Sequence, residues 1–217
     1  MRLVLASTSP ARLALLRAAG IEPDVRPSEV DEPAAVRAAE EAAGAPLPAA
    51  EMVQLLARAK AEAVAATLPR SDALVLGGDS AFVYDGRIHG KPGTAEAALR
   101  RWREQRGRSG VLHSGHWLID LRDGSGAGVG TSALVEFADD LDDDELAAYV
   151  ATGEPLAVAG AFTIDGLAGP FVRRIEGDPS TVVGLSLPAL RDLVRAAGVA
   201  WPDLWRPELR RARRPAL

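Results

Sequence analysis

Residues 3–21 read LVLASTSPARLALLRAAGI. An unbroken apolar run stops at three hydroxyl residues, Ser7, Thr8 and Ser9, and passes through Pro10 into a leucine-rich, helix-period stretch. Residues 2–5 read as a short buried strand. Ser9 is a natural N-cap, Pro10 suits the first helical position, and Gly20 stops the helix. Strand, short loop and helix in this order predict an α/β protein. They also predict a place for an anion, because the N–H groups and dipole of a helix N-terminus favour negative charge. Arg12 in the first turn adds a donor able to bridge two phosphate oxygens. The Gly-x-x-x-x-Gly-Lys pattern of a P-loop is absent.

Outward from this stretch, residues 22–50 are rich in proline and acid and are expected to be loop. A helix is predicted over 51–67. ALVLGGDSAFVYDGRI (73–88) predicts two strands in close succession, with a hairpin turn at Asp85-Gly86. A helix over 94–106 follows, capped by Thr94, and then strands over 110–121 and 130–138. Asp142 and Glu145 form an acidic capping box for a helix ending near Val150. AGAFTIDGLAG (159–169) is expected to be a glycine-rich strand region, and a last helix is predicted over 188–197. In the first helix, Leu13 and Leu16 are expected to face inward while Arg12 and Arg17 reach solvent.

The composition narrows the function. The 217 residues are 47 % hydrophobic and 25 % charged with a net charge of −5, an ordinary globular balance that argues against a dedicated nucleic-acid binder. No cysteine is present, which excludes disulfides, thiolate zinc sites and cysteine nucleophiles. No apolar run approaches the ~20 residues that span a bilayer, and Met1-Arg2 leads straight into a strand, so a cytoplasmic location is expected. Of 25 basic residues only Lys60 and Lys91 are lysine. Where arginine is the default, a retained lysine marks positions that need a compact ammonium on a flexible stem.

Three more places carry chemistry. Asp79 in GGDS follows an apolar strand and two glycines, where a carboxylate can project beside a closely approaching ligand. Lys91 in HGKP follows the hairpin. Glu29, Asp31 and Glu32 in EVDE are hard oxygen donors suited to Mg²⁺ or Mn²⁺. His113 and His116 differ by three positions in a strand, point to opposite faces and cannot share a metal.

In this order, LASTSPAR (5–12), EVDE (29–32), LARAKA (56–61), GGDS (77–80), GKP (90–92), GEPLAVAGAFTIDG (153–166) and EGDPSTVVGLSLP (176–188) resemble the blocks of the Maf family of nucleoside triphosphate pyrophosphatases, also called septum formation inhibitor proteins. The likeness runs over about residues 3–199. It implies a single domain over 1–200, with a basic, flexible tail over 201–217. The implied fold is an elongated mixed sheet with flanking helices, in two lobes around a cleft, similar to inosine triphosphate pyrophosphatases. The implied reaction is hydrolysis of a nucleoside triphosphate to monophosphate and pyrophosphate, with a divalent cation and commonly a homodimer. Position by position, Asp79 would activate water and, with Glu32, hold the metal. Ser7, Arg12, Lys60 and Lys91 would hold the phosphates. The base-specificity positions carry Ala11, Ser80 and Asp165. The dTTP/UTP branch of the family has Arg, Thr and Gln there, and the 7-methyl-GTP branch has Trp, Gln and Glu. This chain matches neither set, and Asp165 leans away from thymine and uracil because a carboxylate accepts hydrogen bonds from a base edge that carries donors. The alternatives are a non-catalytic nucleotide-binding regulator of cell division, which would bind without turnover, and a metal phosphomonoesterase, which would release orthophosphate.

Overall fold

A computed structural model describes residues 1–211. Seven strands form one mixed sheet flanked by helices. The two apolar runs read as strands, β1 (Arg2–Ala6) and β3 (Ala73–Tyr84), lie side by side in parallel, Leu3 opposite Leu74 and Leu5 opposite Leu76. All four leucines are buried. This is why both stretches are continuously apolar instead of alternating. The short β2 (Asp24–Val25) pairs in parallel with the other edge of β1. Past β3 the order continues through β5 (Ser109–Asp120), β6 (Gly126–Phe137) and β7 (Val172–Glu176), while β4 (Arg87–His89) pairs antiparallel with β3.

The chain divides into two compact units. Unit 1 comprises Met1–Asp79, Gly115–Gly130 and the residues from Leu187 onward; unit 2 comprises Ser80–Ser114 and Thr131–Ser186. In unit 1, α1 (Pro10–Ala18) is capped by the Ser9 hydroxyl, which accepts the Arg12 N–H, and the chain turns out of it at Gly20 with φ +84°. The long α3 (Ala49–Ala65) buries Val53, Leu56, Ala57, Ala61 and Val64 along one face. It lies very close to the sheet. A Cβ at Gly77 would stand 2.0 Å from the Ala57 carbonyl oxygen, and one at Gly115 would stand 2.3 Å from that of Val53. The two glycines are therefore what lets this helix approach the strands.

Unit 2 is built around aromatic rings. Phe82 meets Phe137 and Phe162 edge to face, and Trp102 meets Phe137, Tyr149 and Phe171 in the same way. Each such pair contributes ~0.5–1.5 kcal/mol beyond the area buried. Trp102 comes from α4 (Ala95–Gln105), capped by Thr94, and its indole N–H donates to the Ala161 carbonyl at 2.8 Å. Tyr149 comes from α5 (Asp143–Ala151), whose start is the expected capping box: Asp142 accepts the Glu145 N–H while Glu145 accepts the Asp142 N–H.

The structure departs from the sequence reading in several places. Residues 22–50 are not all loop, because α2 occupies Glu32–Ala43. Asp31 caps it by accepting the Ala34 N–H, and Gly44 ends it with φ +69°. The alanine- and glutamate-rich run between them has high helix propensity. The expected strand region over 159–169 is a set of 3₁₀ turns, at Glu154–Ala157, Ala159–Ala161 and Gly169–Phe171. Gly160 and Ala161 both have positive φ, which no strand accommodates. The strands β2 and β7 are additional. The last segments are α6 (Pro179–Val183), α7 (Leu187–Ala196) and α8 (Pro207–Arg211). Of the residues read as a tail, Trp201–Leu204 forms a turn with Leu204 buried, and the Arg206 N–H donates to the Gly20 carbonyl. Residues 212–217 lie outside the described residues. Among the described residues no helix is long and apolar enough to cross a membrane.

Candidate active site

In unit 1 the loop after β1 and four elements, α1, α2, α3 and β3, bring Ser7, Arg12, Glu32, Lys60 and Asp79 together. Ser7 follows the last residue of β1, where the strand leaves the sheet, and is buried. Its Oγ accepts the Ser9 N–H at 3.2 Å and the Arg12 Nη1–H at 3.1 Å. The hydroxyl thus closes the loop and fixes the guanidinium in one act. Arg12 is only 8 % exposed, a correction to the expectation that it reaches solvent. Space for it comes from Gly78, where a Cβ would stand 3.1 Å from Arg12 Nε. The two glycines of GGDS therefore do different things: Gly77 admits a helix and Gly78 admits a guanidinium.

Lys60 projects from the buried face of α3. Its Nζ donates to Asp79 Oδ1 at 2.6 Å and lies 2.7 Å from Glu32 Oε1. The Lys60 and Asp79 side chains are 10 % and 14 % exposed, while Glu32, in the first turn of α2, is 47 % exposed. Burial pushes the Asp79 carboxyl above its ordinary value, against the opposing pull of Lys60 and Arg12 and with the help of Glu32. Burial likewise pushes the Arg12 guanidinium down, against the pull of Asp79 and Glu32. A guanidinium stays charged through any such shift. Two cations and two carboxylates thus share one partly buried space, and a carboxyl whose pKa burial raises beside specific charge partners is a functional-site candidate.

Of the acidic trio in EVDE, Asp31 is committed to capping α2, so the three do not act together as loop ligands. Among the described residues no group of three or more His, Cys, Asp or Glu could hold a metal by itself. Glu32 and Asp79 do fit a hard cation of a particular kind. Mg²⁺ is usually held by one or two carboxylates, with substrate phosphates and waters completing the octahedron.

The remaining candidates, Ala11 apart, belong to unit 2. Ser80, next to Asp79 on β3, has its hydroxyl 2.8 Å from Ser114 Oγ and 3.4 Å from the Gly184 carbonyl. Lys91 lies exposed in the loop after β4, and Asp165 lies exposed in a turn over 164–168. Ala11, in the first turn of α1 in unit 1, is half-buried.

That turn has an organiser the sequence reading did not single out. Glu154 accepts the Thr163 hydroxyl at 2.7 Å, the Tyr149 hydroxyl at 3.0 Å and the Leu167 N–H at 3.0 Å. Burial opposes its ionisation, but the hydrogen bonds from Thr163, Leu167, Tyr149 and Ala168 outweigh it and hold the carboxyl below its ordinary value. An acid alone in a long apolar and glycine-rich stretch was the signal that could have found it. The histidines stay outside the site: His113 Nδ1 lies 2.7 Å from Ser132 Oγ, and His116 Nδ1 lies 3.1 Å from the Val129 carbonyl.

The Maf-like protein family model matches residues 2–197. A protein of Leifsonia xyli subsp. xyli named nucleoside triphosphate pyrophosphatase is 66 % identical over 210 residues, covering 94 % of this chain and 97 % of the relative. Proteins of the same name from Salinispora tropica and Streptomyces coelicolor are 55 % and 50 % identical, covering 94 % and 95 % of this chain and 88 % and 95 % of those proteins. The solved structure of the Staphylococcus aureus Ham1 protein aligns at 17 % identity with a TM-score of 0.36, over 64 % of this chain and 73 % of that one. With a family match spanning nearly its whole length and relatives of this identity, the chain belongs to the Maf family.

Proposed function

We propose that this protein hydrolyses nucleoside triphosphates to nucleoside monophosphate and pyrophosphate, the activity for which its relatives are named. The observation that carries the reading is the contact between Lys60 and Asp79, at 2.6 Å beside the buried Arg12. A carboxylate able to take a proton is set among cations able to receive phosphate oxygens. Asp79 orients the attacking water and accepts its proton, and the raised pKa makes it a better base than an exposed aspartate. Arg12, anchored by Ser7, meets phosphate oxygens in a fixed fork, while Lys60 follows them on a flexible stem. Negative charge grows on the leaving pyrophosphate, and cations already in place stabilise it without reorganising.

Arg12 and Lys60 are balanced by Glu32 and Asp79, so the cluster alone has no surplus positive charge for a triphosphate. A divalent cation, Mg²⁺ or Mn²⁺, held by Glu32 and Asp79, would supply that charge and lower the pKa of a bound water. Lys91 would add a phosphate contact and Asp165 would favour a base edge bearing donors; Ala11 and Ser80 occupy the other base-choice positions. A cytoplasmic homodimer acting on non-canonical or modified nucleotides completes the proposal.

The test is a panel of nucleoside triphosphates (dTTP, UTP, CTP, dCTP and 7-methyl-GTP) incubated with Mg²⁺ or Mn²⁺, with products resolved by chromatography and Asp79→Asn as control. Monophosphate plus pyrophosphate, lost in the variant, is the expected result. Orthophosphate as first product points to a phosphomonoesterase. Binding without turnover points to a regulator. Strong preference for dTTP overturns the expectation for Asp165. Lys91→Ala and Asp165→Asn test those two residues one at a time, and sedimentation measures the oligomeric state.

A further inference from the structure

The Lys60 ammonium stands where the proposed cation would have to go. Glu32 Oε1 and Asp79 Oδ1, from α2 and β3, converge on Nζ at 2.7 and 2.6 Å. Two carboxylates brought this near one point need a positive charge between them, because like charges partly shielded from water repel strongly. An ammonium and a divalent metal ion satisfy that need with the same oxygens, so they exclude one another.

We propose that Lys60 is the resident counter-ion of the cation site: in the ligand-free protein it occupies the Glu32–Asp79 pair, and a divalent ion gains those carboxylates only when a triphosphate draws the ammonium away. The inference rests on the reading of Glu32 and Asp79 as cation-holding residues and adds an order of events to it. The metal enters with the nucleotide, and the free protein has little affinity for metal alone. Residue type and position both suit such an exchange. A lysine head on four methylenes can change partners while its Cα stays put, and Cα is held by the close contact of α3 with the sheet at Gly77. An arginine would grip a carboxylate in two places and release it less readily. Arg12, locked on Ser7 Oγ, takes the fixed role and leaves the movable one to Lys60.

The probe is Mn²⁺ alone, titrated into the purified full chain without nucleotide and followed by electron paramagnetic resonance. Lys60→Met is expected to bind Mn²⁺ about tenfold or more tightly than wild type, since it removes both a competitor and a repelling charge. Adding Glu32→Gln to that variant is expected to abolish the gain. Equal affinity in wild type and Lys60→Met, with the circular dichroism spectrum unchanged, overturns the proposal. Should Lys60→Met fail to fold, Lys60→Gln replaces it. If neither folds, wild type decides: Mn²⁺ bound by the protein as tightly without nucleotide as with a non-hydrolysable triphosphate analogue overturns the proposal, and protein-bound Mn²⁺ seen only with the analogue supports it. Turnover separates this inference from the one beneath it. Wild type that hydrolyses nucleotide while Lys60→Met gains no metal affinity sinks the exchange alone, whereas wild type that hydrolyses nothing sinks the function.

Discussion

Gly78 faces the guanidinium of Arg12 so closely that a Cβ on it would stand 3.1 Å from Nε, while a Cβ on its neighbour Gly77 would stand 2.0 Å from the Ala57 carbonyl oxygen of α3. The two alanine substitutions should therefore separate. Gly77→Ala forces backbone from backbone and is expected to cost about 3 kcal/mol or to prevent folding. Gly78→Ala meets a side chain that can yield by a few tenths of an ångström. It is expected to cost about 1 kcal/mol or less while raising KM several-fold. Denaturant unfolding and steady-state kinetics on both variants check this, and equal stability losses would show that the two contacts are alike.

Asp79 is expected to set the acid limb of the pH–rate profile. A carboxyl whose pKa is raised in the folded protein acts as a base only above that raised value, so kcat/KM falls as pH drops through it. The midpoint of that limb should lie above the ordinary 3.8. Asp79→Asn should lower kcat by about 10²-fold or more and remove the limb from the residual activity. A wild-type midpoint at or below 3.8 would mean that the partner cations outweigh burial.

Arg12→Lys tests whether charge alone suffices. A lysine keeps the charge but cannot hold the Ser7 hydroxyl and a phosphate in one rigid fork. KM is expected to rise about tenfold with a smaller change in kcat. Unchanged kinetics would reduce Arg12 to a point charge.

Glu154 makes a prediction about stability and its pH dependence. Glu154→Ala leaves the Tyr149 and Thr163 hydroxyls and the Leu167 N–H without their carboxylate, and should cost about 2 kcal/mol at neutral pH. Because its folded pKa is depressed, the ionised group's contribution is present above the unfolded value, 4.5, and is lost as pH falls through the folded one. The stability gap between wild type and variant should accordingly narrow below pH 4.5. A gap that stays constant into acid would trace the loss to packing.

How far the molecule could be read in advance depended on whether the signals were local. The turn from β1 into α1 lay entirely within residues 3–21, and Ser9, Pro10 and Gly20 act there as their types suggest. The helix over Glu32–Ala43 carried its own signals in Asp31, Pro33 and Gly44, but the surrounding proline and acid masked them. The turns around residue 160 depend on positive φ at Gly160 and Ala161, and an alanine gives no warning of that. The site was legible as a roll of residues and not as an arrangement. Nothing near Arg12 in sequence says that it is buried, since the space for it is made by Gly78, far along the chain on β3. The scarcity of lysine pointed to two positions of quite different character: Lys60 is buried on two carboxylates, whereas Lys91 is exposed. Composition reports that a residue was kept, and only tertiary contacts report against what.

The seam between α3 and the sheet has a bearing on how such a protein can diversify. Val53 against Gly115 and Ala57 against Gly77 fasten one face of the helix at two successive turns, and Lys60 sits a turn further on. Any descendant that widened either glycine would shift the ammonium along with the helix, so this part of the chain has little freedom to vary. Asp165, by contrast, is an exposed side chain on a turn whose backbone is held from elsewhere, by Glu154. Under the proposed function, substitutions at Asp165 would change base preference while leaving the contacts of Lys60 with Glu32 and Asp79 in place.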